Sequence, residues 1–195
     1  SVAALEDLAL QLNASKLYDS NLTWRSFLSL LKGWVCGRRC QPEVLPMGLV
    51  KGEAWEKYLT SLLGQQKFAG LSLPTAVLAV DVETGDAVAF ASREMSSADV
   101  TLTGATVVQG VRASSSIPGV FAPLQLYGYT LVDGAVHASV PAQLVRDLGA
   151  QVVVAIDLGY AGQREERVDS VIEVISQSLH ILGEDLTKCQ LEKTA

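Results

Sequence analysis

An α/β fold, built on a mostly parallel sheet with flanking helices, is predicted by three features of this sequence. Apolar runs of strand length at Pro74–Val80 and Val152–Leu158 are nearly continuous, as suits strands covered on both faces. From residue 129 to the end the pattern runs strand, helix, strand, helix, the order of a right-handed βαβ unit. With 195 residues, 49% of them hydrophobic, the chain is long enough for one compact domain over 1–195 that buries roughly 70% of its unfolded surface.

The elements follow in order. Leu5, Leu8, Ala9 and Leu12 fall at helical spacing, with Glu6 and Asp7 suited to the dipole of a first turn, so residues 2–14 read as an amphipathic helix. Residues 24–35 read as a second. Glu53–Leu63 is a third, with Trp55, Leu59, Leu62 and Leu63 on its apolar side and Gly64 as its stop. Gly33, Gly37, Pro42, Pro46 and Gly48 mark irregular chain between them. Pro74–Val80 is a strand, Glu83-Thr-Gly-Asp86 a turn, and Ala87–Ser92 the returning strand of a hairpin. Gly104–Ala113 is a short helix or helical turn, and Tyr129–Val132 another strand. Pro141–Leu148 is a helix opened by proline and closed by Gly149. Val152–Leu158 is a buried strand. A long amphipathic helix, 168–188, carries Val171, Ile172, Ile175, Leu179, Leu182 and Leu186 on one side.

Charge and cysteine content narrow the function. A net charge of −6 makes the chain a poor generic partner for nucleic acid or anionic lipid. The basic residues gather in 22–67, where seven Lys or Arg face three Glu and all three tryptophans lie. Trp24, Phe27, Leu28, Leu30, Leu31 and Trp34 therefore suit either a helix packed on the core or one lying on a lipid–water interface through residues 22–40. Three cysteines, at 36, 40 and 189, do not form a disulfide framework and fit a reducing compartment. Cys36-Gly-Arg-Arg-Cys40 lacks further ligands at usable spacing, so no metal is expected. No apolar run approaches the ~20 residues needed to cross a bilayer. The expected location is cytoplasmic or peripheral to a membrane. The chain opens on Ser1 rather than Met, and the expectation is a piece of a longer chain.

Asp133 is the most informative single residue. It closes the apolar run Tyr129-Thr-Leu-Val-Asp133 and precedes two residues with almost no side chain, Gly134 and Ala135. Such a carboxylate either caps a turn or stands where a hydroxyl from another strand can reach it. Upstream lies Arg112-Ala-Ser-Ser-Ser-Ile-Pro-Gly-Val-Phe-Ala-Pro123; downstream lie Val140-Pro141 and Val153-Val-Ala-Ile-Asp-Leu158. Together with Leu73-Pro-Thr-Ala-Val-Leu-Ala-Val-Asp-Val-Glu-Thr-Gly85, this set resembles the patatin-like phospholipase family in motif, order and spacing, over about residues 48–160. The specificity rests on the combination.

The resemblance implies a serine carboxylic-ester hydrolase that cleaves fatty acyl esters with a Ser-Asp dyad and without a cofactor. Asp133 maps onto the dyad aspartate, the general base and proton acceptor, with Gly134 and Ala135 shaping its turn. Ser114, Ser115 and Ser116, with Pro118 and Gly119, are expected to shape a turn near the pocket. The family's nucleophile sits in a Gly-x-Ser-x-Gly elbow behind a glycine-rich oxyanion loop. No serine of this chain has glycine at both offsets. The expectation is an N-terminally truncated domain whose motif-bearing core is 71–160, whose first strands lie before residue 1, and which is inert alone. Ala135 stands where many members carry glycine, and His137-Ala-Ser-Val140 replaces an asparagine often found there. His137 and His180 are expected to be an exposed loop residue and a helix-surface residue.

Two other classes are open. Asp81-Val-Glu83 also resembles the first motif of DnaQ-type 3′–5′ exonucleases, in which two carboxylates at a strand end hold metal, and His180 and Asp185 have that family's last offset. No Asn-x-x-Phe-Asp motif lies between them. Asp81 and Asp157 equally suit strand-end turn caps. A patatin-like domain that binds lipid or protein without catalysis is the remaining alternative.

Overall fold

The structure is a computed structural model in which residues 19–20, 47–156 and 170–194 are described. The predicted helices at 2–14 and 24–35 lie outside the described residues, as do the whole interfacial segment 22–40 with Cys36 and Cys40, and Asp157 and Leu158.

Five strands form the main sheet: β2 (Ala76–Asp81), β3 (Ala87–Ala91), β4 (Val100–Leu102), β6 (Leu124–Leu126) and β7 (Tyr129–Asp133). Their order is β4-β3-β2-β7-β6. A second, two-stranded sheet pairs β1 (Gly48–Val50) with β5 (Gly119–Phe121). The helices are α1 (Glu53–Leu63), α2 (Val107–Ser114), α3 (Ala142–Asp147) and α4 (Val171–Thr194). The α/β class holds, and α1 has the residue limits expected from its apolar spacing.

The apolar runs are explained by the layers on either side of the sheet. Val88 and Phe90 of β3 point with Ala79 and Leu131 into a core that includes Phe68, Ala105 and Ala113 of α2. Ala87, Ala89 and Ala91 point the other way, with Leu78, onto Met95 and Leu144 of α3. Residues one apart on a strand thus enter opposite cores, which is why β2 and β3 show no polar alternation. Phe90 and Leu131 are fully buried, each contributing on the order of 1.5–3 kcal/mol by leaving water. The capping box of α2, with the Thr106 hydroxyl accepting from Gln109 N–H and the Gln109 side chain accepting from Thr106 N–H, fixes its start three residues later than Gly104.

Two expectations are corrected. The described sheet is mixed rather than mostly parallel: β2–β3, β2–β7 and β6–β7 are antiparallel, while β3–β4 and β1–β5 are parallel. Short connections force this outcome for β2–β3 and β6–β7, since a tight turn can only return a strand antiparallel to itself. The β6–β7 turn is Tyr127-Gly128, with φ of 51° and 89°, the two positive values of a type I′ turn. The second correction concerns Val152–Leu158. Residues 152–156 form no strand, and Val152, Val154 and Ile156 are about four-fifths exposed. A strand exists only through a neighbour that takes its N–H and C=O groups, and no described strand pairs with this run. The βαβ unit expected after residue 129 is therefore not closed among the described residues.

Candidate active site

The β7 strand carries Asp133 to the middle of the sheet's edge, where Ala79 of the central strand β2 is its register partner. The chain then turns at once into a 3₁₀ helix, Gly134–Val136. Asp133 begins that turn: its Oδ1 accepts from the Ala135 N–H at 2.9 Å. Among the described residues no donor reaches its other oxygen. Gly134 is buried, and a Cβ there would collide with the Leu78 carbonyl. Its need for glycine comes from this close approach, not from a left-handed backbone, since its φ is not positive. The carboxyl is half-buried, and burial pushes it above the usual value of 3.8, against the opposing pull of the Ala135 N–H.

The backbone of Asp133 is anchored from the other side. Its N–H donates to the Ser116 carbonyl at 3.0 Å, which ties the strand end to the segment following α2. Ser116 is fully buried; its hydroxyl accepts from Arg112 Nη1 and donates to the Arg112 carbonyl at 2.9 Å. The Ser115 hydroxyl accepts from Trp55 Nε1 at 3.0 Å and lies 2.9 Å from the Val111 carbonyl. Ser115 and Ser116 are therefore bound into the scaffold by their own hydroxyls. Ser114 is the last residue of α2 and half-buried. Pro118 lies in the turn closed by Val120 N–H and Phe121 N–H on the Ile117 carbonyl, and Gly119, with φ of 81°, opens β5 beyond it. His137 follows the 3₁₀ helix and is exposed; His180 lies on α4.

Arg112 is 3% exposed, a guanidinium on the buried side of α2 beside Val108 and Ala113. Besides Ser116 it donates to the carbonyls of Gly52 at 3.2 Å, Lys51 at 2.7 Å and Ala122 at 3.0 Å, and its charge lies 5.6 Å from the centre of the Phe121 ring. Burial lowers its pKa, with the charges of Glu56 and Asp19 opposing, and the group remains a cation because a guanidinium starts so high. Asp19 completes this corner by accepting from Gly52 N–H at 2.8 Å and Ala54 N–H at 3.0 Å, which satisfies the open start of α1. Neither role was visible in local sequence pattern, because Asp19 meets Gly52 and Ala54, and Arg112 meets Lys51 and Gly52, across 33 to 61 residues.

The alternative carboxylate pair is differently employed. Asp81 is 4% exposed and accepts from Thr130 N–H at 3.0 Å and the Thr84 hydroxyl at 3.1 Å, closing the β2–β3 hairpin. Glu83 accepts from the Thr130 hydroxyl at 2.6 Å. Both carboxylates thus stitch the hairpin to β7.

The patatin-like phospholipase description matches residues 3–146. NTE family proteins of Mycobacterium tuberculosis and Mycobacterium bovis, themselves uncharacterised, are 25% identical over 141 residues, covering 72% of this chain and 33% of theirs. A patatin-like phospholipase domain-containing protein of Caenorhabditis elegans is 47% identical over 51 residues, 25% of this chain and 5% of its own. The chain spans about a third of the mycobacterial relatives it matches. With the family's description covering most of its length and the Asp-Gly turn at the end of β7, this chain belongs to the patatin-like phospholipase family.

Proposed function

We propose that this chain is part of a lipid acyl hydrolase in which Asp133 is the proton acceptor of a Ser-Asp dyad. The observation that carries the reading is the state of Asp133: a half-buried carboxyl at a strand end, one oxygen held by Ala135 N–H, its proton affinity raised by burial. An ordinary carboxylate is too weak a base to activate a hydroxyl at neutral pH, and burial shifts it toward usefulness.

In this reading a serine hydroxyl attacks the acyl carbonyl carbon and passes its proton to Asp133. The tetrahedral intermediate collapses, the ester C–O bond breaks, and the departing alcohol takes the proton back. Water then attacks the acyl-serine, Asp133 accepts its proton, and the fatty acid leaves as the serine is reprotonated. No metal or cofactor enters these steps. The serine comes from outside these 195 residues, because no Gly-x-Ser-x-Gly elbow occurs in them, and the chain by itself does not turn over ester. The substrate is a lipid or other acyl ester, and no nucleic-acid partner is invoked.

Asp133→Asn in the full-length protein is the test. Hydrolysis of a short p-nitrophenyl acyl ester is expected to fall on the order of 10⁴-fold or more, with the circular dichroism unchanged. Turnover retained near the wild-type level overturns the assignment. The absent elbow also suits a non-catalytic lipid- or protein-binding domain, and a full-length protein with no acyl-ester turnover at all supports that reading instead.

A further inference from the structure

We infer that Arg112 is a positioning residue for Asp133, acting through Ser116. The inference rests on the dyad reading above and adds to it the device that fixes the base.

Three observations converge. Asp133 has two anchors flanking its carboxylate: register pairing with β2 on one side and the bond from its N–H to the Ser116 carbonyl on the other. The β2 pairing is shared by the whole strand, but the Ser116 bond is made by Asp133 itself. Ser116 belongs to the turn between α2 and β5, whose position is set by what holds the turn down. That holder is Arg112, one turn of helix earlier.

The guanidinium makes four bonds to three separate stretches of chain: Lys51 and Gly52 at the β1–α1 junction, Ser116 in the turn, and Ala122 beyond β5. Three are carbonyls and the fourth a hydroxyl, so a planar fork of donors is matched to acceptors that no pair of lysine bonds would satisfy. No carboxylate among the described residues forms an ion pair with it. A charge buried to 3% exposure is costly unless its donors are filled, and here they are filled by three backbone carbonyls and the Ser116 hydroxyl. Gly52 has φ of 82° and a Cβ there would strike the guanidinium, so the chain has been brought against the arginine as closely as backbone permits. Such a site is expensive for mere packing, since an apolar side chain would fill the same space. What it delivers is a turn of fixed geometry from which the Ser116 carbonyl reaches the N–H of the base.

The experiment uses the full-length protein with Arg112→Lys, which keeps the charge and loses the fork, and Ser116→Ala, which cuts the bond to the turn while sparing the other three. In each, kcat for a p-nitrophenyl acyl ester is expected to fall about 10- to 100-fold with KM within about twofold, as misplacement of a catalytic group by ~1 Å costs. The acid limb of kcat/KM moves to lower pH, because a loosened turn admits water to the Asp133 carboxyl. The ¹³C carboxyl titration of Asp133 moves the same way. Loss of melting temperature with kcat and acid limb unchanged in the folded fraction of both variants overturns the inference. The dyad reading fails separately, if Asp133→Asn keeps wild-type turnover; the carboxyl titration in Arg112→Lys then decides the positioning role without any activity.

Discussion

Asp133 is held in an environment that opposes its own ionisation. Burial raises its pKa above 3.8, so the folded protein binds that proton more tightly than the unfolded chain does. The folded state therefore loses stability as pH rises from the unfolded value through the folded one. Asparagine has nearly the same shape and carries no charge. Asp133→Asn is accordingly expected to melt a few degrees higher than wild type at pH 7, with the difference vanishing below about pH 3.8. Thermal unfolding followed across pH checks this; an equal or lower melting temperature for the variant at pH 7 contradicts it. Asp19 and Asp147 run the other way. For Asp19 burial raises the pKa, but N–H donation from Ala54, Gly52, Asp19 itself and Glu53 outweighs it; Asp147 is lowered chiefly by the Ser97 hydroxyl and N–H. Their contributions are present above the unfolded pKa and fade as pH falls through the folded one.

At the scale of elements, the hairpin β6–β7 delivers Asp133 and is the least well matched to its sequence. Tyr127 occupies a left-handed conformation, with φ of 51° and its side chain 62% exposed. Type I′ turns favour Asn or Gly at that position, because a Cβ costs about 1 kcal/mol or more there. Tyr127→Asn is expected to stabilise the protein by roughly 0.5–1 kcal/mol, read by denaturant titration, without changing ester turnover. A loss of stability would mean that the ring makes a contact worth more than the strain. The same residue explains why β6 was not foreseen. Gly128 was the available signal, but a tyrosine beside it hides a turn that Asn-Gly would have announced. By contrast, α1 and the β2–β3 hairpin were legible, because apolar spacing in the first and Glu83-Thr-Gly-Asp86 in the second are local codes. Arg112 and Asp19 were not, since each acts on partners far along the chain.

At the scale of the whole molecule, the described cores leave an apolar stretch at 152–156 outside them. Val152, Val154 and Ile156 are exposed, and no described strand pairs with their backbone. An exposed run of β-branched residues is a template for intermolecular pairing. The double substitution Val152→Lys and Val154→Lys is expected to lower self-association of this chain severalfold, measured by light scattering after size-exclusion chromatography. The melting temperature should stay unchanged, because neither residue belongs to a core cluster. Undiminished association would locate the sticky surface elsewhere.

What the sequence determined by itself was whatever is encoded locally or in a long ordered motif. The α/β class, the helix Glu53–Leu63, the hairpin turn, the tight turn of Asp133-Gly134-Ala135 at a strand end and the family membership all belong here. Helical spacing, turn chemistry and motif order are properties of neighbours in the chain. Tertiary structure alone decided the direction of the strands, the failure of residues 152–156 to pair, the steric reason for Gly134 and the bonds that connect Arg112 through Ser116 to Asp133. Each of these depends on which groups meet across tens of residues, and a hydrogen bond or a close approach between distant segments leaves no period or spacing in the sequence that makes it.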